Sequence, residues 1–146
     1  MSTLWVRHAP SSAAVARRSV HTAFRRAGMP DDDAFDASLI ANELVANAVR
    51  HATALPSGHL AVEWVLDSAS YTVSVTDGGS SSEVTPRETD PHDISGRGLM
   101  IVAALAQDWG VSSTTSERGT GTTTVWARGK FASADSLNRR GLQTTS

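Results

Sequence analysis

Cysteine is absent from the 146 residues, which excludes disulfides, thiolate metal sites and cysteine nucleophiles and fits a reducing compartment. No apolar run approaches the roughly 18 residues of a membrane span, and the first seven residues lack a basic region leading into an apolar stretch. The expectation is a cytoplasmic protein with no membrane contact. Charge of one sign is also lacking: 13 basic residues stand against 15 acidic ones, for a formal net charge of −2. That leaves no field suited to direct nucleic-acid binding. Lys130 is the single lysine, and the arginine and alanine bias suggests a bacterial genome rich in G and C. Neither Gly-x-Ser-x-Gly nor a Walker-type Gly-x-x-x-x-Gly-Lys occurs, and the five histidines show no paired helical spacing for zinc. There is no internal repeat, and the length suits one domain able to bury about two thirds of its unfolded surface.

Residues 3–8 suggest an edge strand. From Ser11 or Ser12 as N-cap, Ala13, Ala16, Val20, Ala23, Phe24 and Ala27 recur at three- and four-residue steps until Gly28, which predicts an amphipathic helix. Its outer side carries Arg17, Arg18, Arg25 and Arg26, either a solvated face or a dock for an acidic partner. Pro30-Asp31-Asp32-Asp33 then forms a turn that sets carboxylates at the positive end of a second helix, about Asp33 to His51. Residues four apart share a helix face, so Glu43, Asn47 and His51 form one polar row. The row runs along the edge of an apolar arc made by Ala37, Ile40, Ala41, Leu44, Val45, Ala48 and Ala52. It is either a wet helix edge or a set of costly polar groups awaiting a partner. For His51 itself the expectation is a packed, hydrogen-bonded histidine.

Leu60, Val62, Trp64 and Leu66, then Tyr71, Val73 and Val75, alternate on either side of Asp67-Ser68-Ala69-Ser70, which predicts an antiparallel hairpin. The same alternation puts Asp77 on the apolar face at the strand end, followed by Gly78 and Gly79, either as a turn cap or as a functional carboxylate. Residues 80–94 are polar and aperiodic, long enough for a lid or a disordered segment. Ser95-Gly96-Arg97-Gly98 leads into a third helix through Leu99, Ile101, Val102, Leu105 and Ala106. Glycines there either let the backbone approach an anion or only ease packing. Trp109–Thr115 and Thr122–Arg128 suggest a second hairpin, with a polar tail after Gly129. The sum is an α+β two-layer sandwich, a mainly antiparallel mixed sheet with helices on one face. It forms one domain over residues 1–128, with 129–146 as a flexible tail.

A purine nucleotide with magnesium would engage all these pieces. Asp77 can accept a hydrogen bond from an adenine amino group, and Gly79 keeps side chains off the ring. Asn47 can offer an oxygen to magnesium, a hard cation that takes few protein ligands. The Gly96 and Gly98 amides can hold phosphate oxygens. Glu43, one turn from the metal, can orient or deprotonate a nucleophile.

Four segments in this order resemble the boxes of the GHKL, or Bergerat, ATP-binding family shared by gyrase and histidine kinases: Glu43 to Ala52, Asp77-Gly78-Gly79, Gly96-Arg97-Gly98-Leu99, and Gly119 to Trp126. Within it the chain looks most like the stand-alone anti-sigma factor serine/threonine kinases of bacteria, across roughly residues 10–128. The resemblance implies that Asn47 binds magnesium, Glu43 is the general base, Asp77 reads adenine, and Gly96, Arg97, Gly98 and Leu99 line the phosphate side. It also implies that a threonine of the run Thr122-Thr123-Thr124, taken as Thr124, supports Asp77. Ser81 stands where the fuller family box has a second glycine. With no room in 146 residues for a phospho-acceptor or transducer domain, the expectation is a lone ATP module. It would phosphorylate an anti-anti-sigma partner of the STAS type and sequester a sigma factor, as a possible homodimer. The alternative is an ATP-binding module that controls a partner by nucleotide-dependent binding without transfer.

Overall fold

The computed structural model describes residues 1–79, 94–115 and 121–131. The chain runs β1 (Ser2–Arg7), α1 (Ser12–Arg26), α2 (Asp31–His51), β2 (His59–Leu66), β3 (Ser70–Asp77), α3 (Ile94–Leu105), β4 (Asp108–Thr115) and β5 (Gly121–Lys130). The strands form one sheet in the order β1-β2-β3-β5-β4, every described neighbour pair antiparallel. The expected α+β sandwich is the observed fold. No helix among the described residues is long and apolar enough to cross a membrane.

Local chemistry sets the helix ends. Ser11 is helical in backbone and makes no side-chain cap, contrary to the expectation. The turn before it does the work instead, with the Ser12 amide donating to Ala9 O and the Ala13 amide to Pro10 O. At the other end Gly28 adopts φ +94°. The Gly28 amide then reaches Arg25 O and the Met29 amide reaches Phe24 O, the paired bonds of a Schellman stop. Phe24 and Met29, the residues that such a stop brings into contact, are both almost fully buried. Helix α2 starts two residues earlier than expected, with Asp31, Asp32 and Asp33 in its first turn and Pro30 before it. Carboxylates there meet the positive end of the helix dipole, and Asp31 also takes the His21 ring at 3.1 Å.

The core lies between the helices and one sheet face. Ala16, Val20 and Phe24 of α1 and Ala37, Ile40, Ala41, Leu44 and Val45 of α2 are buried with Leu60, Val62, Val73, Val75, Val125 and Ala127 of the sheet. Alanines along both helices permit close approach. Strand β5 continues past Arg128 to Lys130, farther than expected, because Tyr71 faces Gly129 and Ser70 faces Lys130. The Tyr71 ring covers Gly129 so closely that a methyl there would overlap it, and its other neighbour is Phe24 at 5.5 Å. Burial, with Asp36 and Asp33 as lesser causes, pushes the Tyr71 phenol up to about 12. The expected lid and the residues beyond 131 lie outside the described residues.

Candidate functional site

The polar row on α2 separates into three environments. Asn47 is buried, Glu43 half-buried and His51 exposed, so the expectation of a packed His51 is not met. The helix ends at His51, and its C-cap Ala52 turns into extended backbone, which leaves the ring in solvent. Glu43 Oε1 accepts from Asn42 Nδ2 at 3.2 Å, and Asn42 Oδ1 accepts from Arg17 at a long 3.5 Å. A carboxylate oriented by a neighbouring amide is better defined than a free one, and Asn42 gave no sign of this in the sequence.

Asp77 closes β3 with a relative exposure of 3%. Its Oδ1 accepts the Gly79 amide at 2.7 Å. Burial pushes its carboxyl above the ordinary value, while the Gly79 amide and His8 pull it part of the way back. Gly79 sits at φ +97°, a conformation that favours glycine, and packs beside the Gly121 backbone. Gly78 is glycine for another reason: an added Cβ would run into the Ala54 carbonyl.

That carbonyl belongs to a backbone strut that follows α2. The Thr53 amide donates to Gly79 O at 3.1 Å, the Gly78 amide to Thr53 O at 2.8 Å, and the Thr53 hydroxyl to Gly79 O at 3.1 Å. The end of α2 is thus tied to the Asp77–Gly79 turn. His8, just beyond β1, donates from Nε2 to Ala52 O at 2.7 Å. Neither His8 nor Thr53 was singled out by the sequence, because both act through contacts distant along the chain.

Thr124 does not support Asp77. Strand alternation puts Asp77 and Thr123 opposite each other on the helix-covered face, whereas Thr124 faces Thr76 on the other side of the sheet. The two hydroxyls of Thr76 and Thr124 are 2.7 Å apart, and Thr123 is the buried member of the run. Helix α3 starts at Ile94, so Gly96 and Gly98 are its third and fifth residues. The first four amides of a helix lack internal partners, so Gly96 and Arg97 fall within the free turn and Gly98 just after it. Leu99 is buried. Ser81 and Gly119 lie outside the described residues.

The donor set suits a hard cation shared with a ligand. Among the described residues no three His, Asp or Glu side chains converge, so magnesium would rest on the Asn47 carboxamide together with phosphate and water oxygens, as this ion commonly does. Away from these residues, Arg18, Ser19, Thr22, Ala23 and Arg26 of α1 line an open groove with Trp64 of β2.

Residues 6–128 match the family model described as a histidine kinase-like ATPase domain. Among solved structures, a chain in the crystal structure of the SiaB-SiaC complex from Pseudomonas aeruginosa superimposes with a TM-score of 0.63 at 12% identity, over 88% of this chain and 89% of that one. At that identity the likeness establishes the fold alone. No curated protein matches the sequence. Sequence match, sandwich architecture and the ordered boxes together lead to one conclusion: the chain belongs to the histidine kinase-like ATPase domain family.

Proposed function

We propose that the protein binds ATP with magnesium and transfers the γ-phosphoryl group to a serine or threonine of a partner protein. The observation that carries this is the burial of two polar groups that the helical and strand periods set beside apolar positions: Asn47 on α2 and Asp77 at the end of β3. A buried carboxylate is costly, and Asp77, whose Oδ1 already takes the Gly79 amide, can accept a further hydrogen bond from an adenine amino group. Gly79 keeps the nucleobase edge clear, Thr123 stands beside Asp77 in the role first given to Thr124, and Gly96, Arg97, Gly98 and Leu99 form the phosphate side. Magnesium held through Asn47 would neutralise charge on the phosphates. Glu43, oriented by Asn42, accepts the proton of the attacking hydroxyl as its oxygen bonds to phosphorus and ADP leaves with the bridging oxygen.

The fold neighbour comes from a two-protein complex, which supports a protein substrate. The partner in this reading is an anti-anti-sigma protein of the STAS type, with a sigma factor held by the same regulator and a homodimer as the working unit in the cytoplasm. Arg18 and Arg26, which line one groove with Trp64, suit an acidic segment of that partner that also carries an apolar side chain.

Calorimetric titration of ATP with and without magnesium, on the wild type, Asn47→Ala and Asp77→Asn, tests the pocket. The expected result is magnesium-dependent binding weakened by both changes. Phosphotransfer to a purified STAS partner then tests the chemistry, with Glu43→Ala expected to abolish transfer and retain binding. Binding with partner control that ignores Glu43 would replace the kinase by a nucleotide-gated binding module.

A further inference from the structure

We propose that His8 is a positioning residue for nucleobase selection, acting through the strut at residues 52–54 and not by touching the nucleotide. It can play this part only if Asp77 reads the nucleobase, as proposed above.

The strut starts where α2 runs out of its own hydrogen bonds. The Ala52 amide still donates to Ala48 O at 3.0 Å, but the Ala52 carbonyl lies past the helix and needs an outside donor. His8 Nε2 supplies it at 2.7 Å across 44 residues of chain. A carbonyl can only accept, so Nε2 carries the proton. His8 is itself confined: β1 ends with Arg7 facing His59, and the Ala9 amide turns back to Arg7 O at 2.9 Å. The ring therefore has a fixed base.

From Ala52 the chain passes directly to Thr53, which grips Gly78 and Gly79 through its amide, carbonyl and hydroxyl. The Gly79 amide is the group that fixes Asp77 Oδ1. The links are hydrogen bonds of 2.7 to 3.1 Å, and Gly78 has no Cβ to push Ala54 away. Shifting Ala52 moves Thr53, then Gly79, then the carboxylate. Hydrogen-bond discrimination between adenine and guanine depends on where that carboxylate points, because guanine presents an acceptor where adenine presents its amino donor.

The test is titration of ATP and of GTP, with magnesium, into the full chain as wild type, His8→Ala, His8→Gln and Thr53→Val, alongside thermal unfolding of each without ligand. His8→Ala should weaken ATP by about fivefold, the worth of one net hydrogen bond, and shrink the preference for ATP over GTP by a similar factor. His8→Gln, whose amide nitrogen can reach the same carbonyl, should restore both. Thr53→Val, at an exposed position, should lower the preference in the same direction and guards against an unfolded His8→Ala. An unchanged preference in His8→Ala and Thr53→Val, with or without lower stability, would overturn the inference and reduce His8 to a structural tie. Failure of the wild type to bind ATP would overturn the nucleotide proposal and this inference with it.

Discussion

Gly78 and Gly129 both lie where a methyl group cannot fit, yet they teach opposite things about glycine in this fold. At Gly78 the obstacle is backbone, the Ala54 carbonyl of the strut after α2; at Gly129 it is the ring of Tyr71 in the core. A glycine next to an aspartate in a nucleotide motif invites the explanation that a ligand must approach. Here the protein's own chain occupies the space beside Gly78, and it is the next residue, Gly79, that needs glycine for its positive φ, with the Gly121 backbone at ordinary contact distance. The motif therefore holds one glycine for an internal splice and one for its turn. Gly129 belongs to a different device, an aromatic ring laid across a glycine on the neighbouring strand.

Breaking the splice should have the largest effect. Gly78→Ala forces the Ala54 carbonyl out of place and with it both Thr53 backbone bonds, at a cost of about 3 kcal/mol, read as a lower urea midpoint. Because the same bonds seat Gly79 and Asp77, ATP affinity should fall with stability. Gly129→Ala should cost about 2 kcal/mol, since Tyr71 is buried against Phe24 and has nowhere to move. Here ATP affinity per folded molecule should stay at the wild-type value. If both variants lose affinity in proportion to stability, the splice has no special tie to the site.

Asp77→Asn separates function from folding at the turn itself. The Asp77 carboxyl lies above its ordinary value of 3.8 in the folded protein, so the native state holds that proton more firmly than the unfolded chain does. Stability from this group is present at low pH and is lost as pH rises through the raised value. Asparagine removes that loss and can still accept the Gly79 amide. The variant should therefore equal the wild type in stability near pH 4, exceed it slightly at pH 7, and bind ATP about tenfold more weakly for want of a charged acceptor. Urea titrations at the two pH values and calorimetry check the two halves.

The parts of the site that follow a period were legible in the sequence. Asn47 and Glu43 stand out because a helical period places them beside an apolar arc, and Asp77 because a strand period places it on the buried face. Thr123 was hidden in a run of three identical residues, where alternation carries no sign of which one faces inward; pairing with β3 decides it. The Ser11 cap failed because Ala9 and Pro10 carbonyls had already satisfied the first amides of α1. Gly96 and Gly98 were legible as marking the start of a helix, but not that the helix begins at Ile94 and so takes both of them in, because glycine lowers helix propensity by about 1 kcal/mol and the polar stretch before them has no period. His8 and the strut were out of reach altogether: a bond from Nε2 to a carbonyl 44 residues away leaves no pattern in either segment.

Gly110→Ala gives the smallest effect and the sharpest control. Its added methyl would meet the Trp126 indole at 2.7 to 3.0 Å, a contact as tight on paper as others that should be costly. But β4 is an edge strand, and Trp126 lies on the sheet face away from the helices, only partly buried. Its ring can swing outward, and alanine is better suited than glycine to a strand. The net change should be below about 1 kcal/mol, with ATP affinity unchanged, and the movement should appear as a shift in tryptophan fluorescence. A cost as large as that of Gly129→Ala would mean that the open face is packed as firmly as the core. Glycines beneath aromatic rings would then be equivalent wherever they fall, and freedom of the ring to move would not be what separates Gly110 from Gly129.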